Sequence, residues 1–152
     1  MERAEAGNPV FAPDALVGAE SVVERIAADE AAAREERTRL EHEDLLPLEP
    51  EPAVTAALRP DEHVVDVRPA TRVERIGPGE APDLFGRLHL TTQRLVLTGS
   101  EPLEVELSQV QELGLVGERL LVGLPDGHAL CFDIAAPRVF RVRASHLIAQ
   151  AR

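Results

Sequence analysis

Between His63 and Ile134 apolar side chains recur at alternate positions in seven short runs, a period that fits a half-buried β-strand and excludes a helix. The runs are HVVDVR (63–68), GRLHL (86–90), QRLVLTG (93–99), LEVELS (103–108), VQELGLV (110–116), RLLVGL (119–124) and HALCFDI (128–134). The first is expected to end at Pro69, a residue tolerated in a sheet only at an edge or a bulge. IGPGEAPD (76–83) reads as a turn-rich loop, and PDG (125–127) as a hairpin turn. In LEVELS, Leu103, Val105 and Leu107 face inward while Glu104 and Glu106 face out. Seven short strands this closely spaced predict a meandering antiparallel sandwich or barrel.

Helices are expected on both sides. Pro137 suits the first turn of a helix, where a missing N–H costs least. From there Phe140, Ala144, Leu147, Ile148 and Ala151 share a face that would close the end of the barrel, with Arg138, Arg141, Ser145 and Arg152 on the flank. Upstream, from an N-cap at Asp14 to about Asp44, the chain is rich in Ala, Glu and Arg and reads as one long helix. Its first half carries an apolar stripe at Leu16, Ala19, Val22, Val23, Ile26 and Ala27 that calls for something to pack on. Its second half, with Glu30 to Arg34 and Glu35 to Arg39 in the favourable i, i+4 order, can stand in water. PLEPEP (47–52) ends this helix as an extended spacer, and a helical turn is expected near Ala53 to Leu58. The expected organisation is therefore an acidic arm over 1–46, a Pro-rich linker over 47–60 and a β domain over 61–152.

Charge follows the same division. All sixteen basic residues among the 152 are Arg, against 27 acids, a net charge of −11. Residues 1–52 hold fourteen acids and five Arg, a net −9, and residues 53–152 thirteen acids and eleven Arg, a net −2. That balance argues against nucleic acid as a partner, since such affinity rests on clustered positive charge. No apolar run approaches the roughly 20 residues of a membrane span, and the start lacks the basic and apolar segments of a secretory signal. Cys131 is the sole cysteine, as expected of a reducing, cytoplasmic setting.

Seven strands followed by one helix is the order of a pleckstrin-homology (PH)-like domain, and GRLHLTTQRLVLTG (86–99) makes the resemblance specific. It resembles the GRAM and bacterial PH-like families at Gly86, Leu88, Leu90, Thr91, Arg94, Leu95, Val96 and Leu97. LRPDEHVV (58–65) is similar to the families' Leu-x-Pro-Gly-Glu lead-in to the first strand, with Asp61 where Gly is usual. EVELSQVQEL (104–113) is similar to their Ile-Pro-Leu-x-x-Ile segment, with Glu106 in place of Pro. Thr92 stands where Asn or Asp more often makes the turn. The resemblance spans residues 58–152 and implies a seven-stranded antiparallel barrel or sandwich closed by a C-terminal helix, used as a recognition scaffold for lipid headgroups or for protein surfaces.

Two surfaces are candidates for that role. Resemblance to lipid-binding PH domains points to Arg68, Arg72, Arg75 and Arg87 around the first strand–strand loop, able to engage phosphate by bidentate contacts. Glu74, Glu80, Asp83 and the acidic arm oppose an anionic membrane. The stripe at Leu16, Val22, Val23 and Ile26 is the better candidate, because helix-in-groove recognition uses such anchors. It packs on its own barrel, with acids near Arg138, Arg141 and Arg152, or it joins a protein partner or a second copy of the chain. No cofactor or metal site is expected. His128 alternates to the opposite side from Cys131 and Asp133, His63 and Asp66 fail in the same way, and EHED (41–44) is a solvated charge cluster unless another chain adds ligands. GLVG (114–117) lies at a strand end without basic residues, unlike a nucleic-acid clamp. Ser21, Ser100, Ser108 and Ser145 are not paired by motif with a His and an acid, so the expected function is non-enzymatic binding of a protein partner, with headgroup binding as the alternative.

Overall fold

The computed structural model describes residues 12–73 and 84–151, with side chains from Ser21 onward in the first stretch. The element order is α1 (Ala12–Arg39), α2 (Pro52–Thr55), β1 (Val64–Val73), β2 (Leu84–Thr91), β3 (Arg94–Gly99), β4 (Leu103–Glu106), a 3-10 turn (Leu107–Gln109), β5 (Glu112–Val116), β6 (Arg119–Gly123), β7 (Ala129–Ile134) and α3 (Pro137–Ala151). The strands form one antiparallel sheet in the order β4-β3-β2-β1-β7-β6-β5, bent around its core and left unclosed between β4 and β5.

The alternation places the core as expected. Leu88, Leu90, Leu95, Leu97, Val105 and Leu107 meet Leu120, Val122, Phe132 and Ile134 across the sandwich, and Phe140, Ala144, Leu147 and Ile148 of α3 close one end. Ala151 is exposed rather than part of that face. β1 differs from its expected end: it runs four residues beyond Pro69 to Val73. Pro69 aligns with Arg87 of β2, whereas pairing with β7 begins only at Ala70. The proline thus occupies the last position at which β1 still has one free edge, where a missing donor is tolerated.

The Pro-rich segment is laid on the outer face of the sheet. The Leu48 N–H donates to the Val64 carbonyl at 2.7 Å, and Val54 of α2 is buried with Val64 and Val96 against Leu58 and Val67. Pro52 opens α2, where proline is pre-organised for a helix. Covering both faces explains why Arg94 to Leu97 of β3 are all buried, although half of a one-sided strand would be exposed.

The two motifs that carry the family resemblance are bonded to each other. Arg94 grips Glu62 through Nε–Oε2 at 2.8 Å and Nη2–Oε1 at 2.7 Å. The same guanidinium reaches Glu104 at 2.7 Å and the Ala57 carbonyl at 2.9 Å. Thr91 Oγ1 donates to Glu62 Oε2 at 2.6 Å and accepts the N–H groups of Gln93 and Arg94 at 3.0 and 2.8 Å. Thr91 therefore closes the β2–β3 turn, which leaves Thr92 free to accept the His63 N–H at 3.1 Å.

Gly86 lies so near β3 that an added Cβ would stand 1.9 Å from the Thr98 carbonyl oxygen, so no side chain fits there. Asp61, where the families have Gly, has φ of 63°. The left-handed region strains any residue with a Cβ, Asp less than most. Asp61→Gly relieves that strain but loosens the unfolded chain, and is expected to raise stability by about 0.5–1 kcal/mol. A higher urea midpoint at unchanged slope checks this.

Candidate functional site

The arm docks, and it does so through its second half. Asp29, Ala33, Glu36 and Leu40 recur at i, i+4, i+7 and i+11, which puts them on one face of α1. Ala33 packs with Val139 and Val142 of α3, with Leu40 beside them. The small Ala33 side chain lets the two backbones approach.

Asp29 caps α3. Its Oδ2 accepts the Arg138 N–H at 2.9 Å and its Oδ1 the Val139 N–H at 3.2 Å. These are orphan donors of a helix start, here satisfied from another helix. The preceding Ala136, at φ of 49°, has no side chain able to do so. The Arg138 guanidinium lies 3.4 Å from Asp29 and also binds Glu118 at 2.6 and 2.8 Å.

Two turns further along, Glu36 joins three elements. It accepts from Arg39 at 2.9 and 2.8 Å and from Arg143 Nε at 2.6 Å. Arg143 Nη1 continues to Asp66 of β1 at 2.7 Å. The Arg39 hydrogen bonds, opposed by burial and aided by Arg143, hold the Glu36 carboxyl down to about 2. Asp29→Ala removes two hydrogen bonds to the start of α3 and is expected to cost about 2 kcal/mol. The urea midpoint measures it.

Contacts rise together along both helices, Asp29 with Arg138 and Val139, then Glu36 with Arg143, so α1 and α3 run parallel. Because Asp29 already sits at the start of α3, residues 12–28 extend about 25 Å past it at 1.5 Å per residue. Val22 and Ile26 continue the docking stripe onto this overhang. Val22 is 43% exposed and Val23 67%, and Ile26 is half-buried. Leu16 lies in α1 but outside the residues whose side chains are described.

Of the loop cations among the described residues, Arg68 and Arg87 are not brought together. Arg68 turns toward α3: it pairs with Asp66 at 2.9 Å, donates to the carbonyls of Ala135 and, at 2.6 Å, Ala136, and lies 5.4 Å from the Phe140 ring centroid. Arg87 pairs with Glu51 of the Pro-rich segment at 2.9 and 2.8 Å. Arg68 aligns with Leu88 of the core and Arg87 with Pro69, so successive positions put the two cations on opposite faces. Arg72 lies at the end of β1 opposite Leu84 and Phe132. Arg75, the loop of 74–83 and Arg152 lie outside the described residues. Of the flank on α3, Arg138 is engaged by Asp29 and Glu118, whereas Arg141 and Ser145 line a cleft between α1 and α3.

The other sites weighed for metal have simpler uses. His128 bonds Asp126 at 2.8 Å on an exposed turn, and burial pushes the Cys131 thiol up and keeps it protonated. Asp66 is held by Arg68 and Arg143. Sequence reasoning missed Asp29, Glu36 and Arg143 because it sought large apolar anchors. Their heptad-like spacing with Ala33 and Leu40 was the available signal. Among the described residues no helix is long and apolar enough to cross a membrane.

No protein-family model and no curated protein matches the sequence. Among solved structures the chain is similar to the Vps36 N-terminal PH domain, with a TM-score of 0.52 at 15% identity over 62% of this chain and 84% of that one. It is also similar to the linker-DH/PH domains of p115-RhoGEF, with a TM-score of 0.51 at 10% identity over 82% of this chain and 42% of that longer one. Identities this low speak to the fold alone, and the fold is PH-like.

Proposed function

We propose that this chain is a non-enzymatic, cytoplasmic interaction module in which the PH-like domain anchors α1 and the overhanging end of α1 binds a protein. The observation that carries the reading is that the docking stripe continues past its support: Val22 is 43% exposed and Val23 67%. Exposed apolar side chains at helical spacing are what a groove recognises. Glu24 and Arg25 follow them in a stretch, residues 1–52, whose net charge is −9, so a second copy would bring like charges together and a partner groove with a basic rim is favoured. The bonded Glu62, Thr91 and Arg94 support placing the domain nearest the GRAM and bacterial PH-like group. Headgroup binding through the first loop is the less supported role, because Arg68 and Arg87 already have carboxylate partners.

The test is Val22→Asp with Val23→Asp in the full chain. Both residues are exposed, so the thermal unfolding midpoint should hardly move while a protein captured by the wild type is lost. Capture that is equal for both chains, or vesicle pelleting that is equal for both and replaces it, contradicts the proposal.

A further inference from the structure

The cleft between the last turn of α1 and the middle of α3 has a volume of about 370 Å³ and is lined by Arg37, Leu40, Glu41, Arg141, Ser145 and His146 among others. Its two arginines belong, with Arg25, Arg34 and Arg119, to the few described ones that no carboxylate holds, and of these they are the pair that lines one cleft. Arg39, Arg59, Arg68, Arg87, Arg94, Arg138 and Arg143 each hold a carboxylate within 4 Å. Arg37 and Arg141 pair with no carboxylate among the described residues, in a chain with eleven more acids than bases. Arg141 is moreover half-buried, where an unpaired guanidinium gives up hydration without return.

We propose that this cleft binds a phosphate group, independently of any protein partner of α1. Arg141 and Ser145 are one helical turn apart on α3 and so present a guanidinium and a hydroxyl on the same row. Arg37 faces them from α1. The Gln150 amide lies 3.2 Å from His146 Nε2, and as its donor leaves the ring proton on Nδ1. The donor set of two planar forks, a hydroxyl and an imidazole N–H matches a tetrahedral dianion with several acceptor oxygens better than it matches a single carboxylate. Glu41, one turn beyond Arg37, and the C-terminal carbonyls of α1 oppose an anion. They set the expected affinity for a bare phosphate near a Kd of about 1 mM rather than far below it.

The probe is inorganic phosphate, titrated into the isotope-labelled full chain against sodium chloride at matched ionic strength and followed by NMR. The expected result is saturable shifts at Arg37, Arg141, Ser145 and His146, weakened at least ~10-fold in Arg37→Gln with Arg141→Gln. Neither side chain holds a carboxylate, so the double variant should keep the wild-type unfolding midpoint, which separates lost binding from lost folding. A second arm uses phosphatidylcholine vesicles containing phosphatidic acid. Pelleting that the double variant loses assigns the phosphate to a lipid headgroup, and saturable phosphate shifts without pelleting assign it to a soluble phosphate compound. Shifts that never saturate together with no pelleting, or binding of either probe that survives the double substitution, overturn the proposal.

Discussion

Arg94→Gln is expected to destabilise the domain by about 4 kcal/mol, because removing one member of a buried ion pair strands the other. The Glu62 side chain is 0% exposed and that of Arg94 5%. Burial by itself would raise the Glu62 carboxyl, but the Arg94 guanidinium, with the Arg59 N–H and the Thr91 hydroxyl, holds it down to about 2. Without the guanidinium, the carboxylate must either stay charged in an apolar setting or take up a proton. The Ala57 carbonyl also loses its donor at 2.9 Å. Replacing both charges, as in Glu62→Leu with Arg94→Met, should cost less than Arg94→Gln alone, since no buried charge is then left without its counter-ion, although the Ala57 carbonyl and the Arg59 N–H still lose their partners. Urea unfolding of the two variants measures the difference. A loss below about 1 kcal/mol for Arg94→Gln would mean that the pair does not join the lead-in to β1 to the β2–β3 turn.

Acid should unfold the protein steeply below pH 4.5. Glu36 and Glu62 are ordinarily near 4.5 and are both held to about 2 in the folded chain. Their folded-state values are depressed, so their contribution is complete above pH 4.5 and is lost as pH falls toward 2. A shift of that size corresponds to about 3 kcal/mol for each carboxylate. Two such losses are comparable with the whole stability of an ordinary domain, about 5–15 kcal/mol. His89 adds an earlier, shallower decline. Burial lowers it, aided by Arg87 and opposed by Glu51, so its folded form resists the proton that the unfolded form accepts below pH 6.5. Stability measured in urea should be level above pH 7, fall gently below 6.5 and collapse between 4.5 and 2. A level profile down to pH 3 would show that neither carboxylate is held as described.

Where burial follows one face, the sequence was readable. The existence of the seven strands and the inward set Leu88, Leu90, Leu95 and Leu97 followed from the period of two, whereas the burial of Arg94 and Val96 on the other face of β3 did not. Pro69 misled because its cost depends on a neighbouring strand: β7 starts pairing one residue later, which no local pattern records. The Pro-rich segment looked like a spacer, yet Val54, packed with Val64 and Val96, the Leu48–Val64 backbone bond and the Arg87–Glu51 pair hold it on the sheet. The arm was judged by the size of its apolar residues, and so the wrong half was expected to dock. The half that docks uses one Ala, a helix cap and a carboxylate shared by two arginines, contacts that arise only when α3 is alongside. The loop cations were grouped by nearness in sequence, although strand alternation sends Arg68 and Arg87 to opposite faces.

Native-state amide hydrogen exchange of the full chain tests the anchored arm most directly. Residues 29–40 of α1 should exchange as slowly as α3, because both open only when the shared contacts at Asp29, Ala33 and Glu36 break, and Asp29→Ala should speed the two helices together. Exchange over residues 29–40 that is as fast as over 12–26, with the sheet still protected, would contradict an arm held on α3.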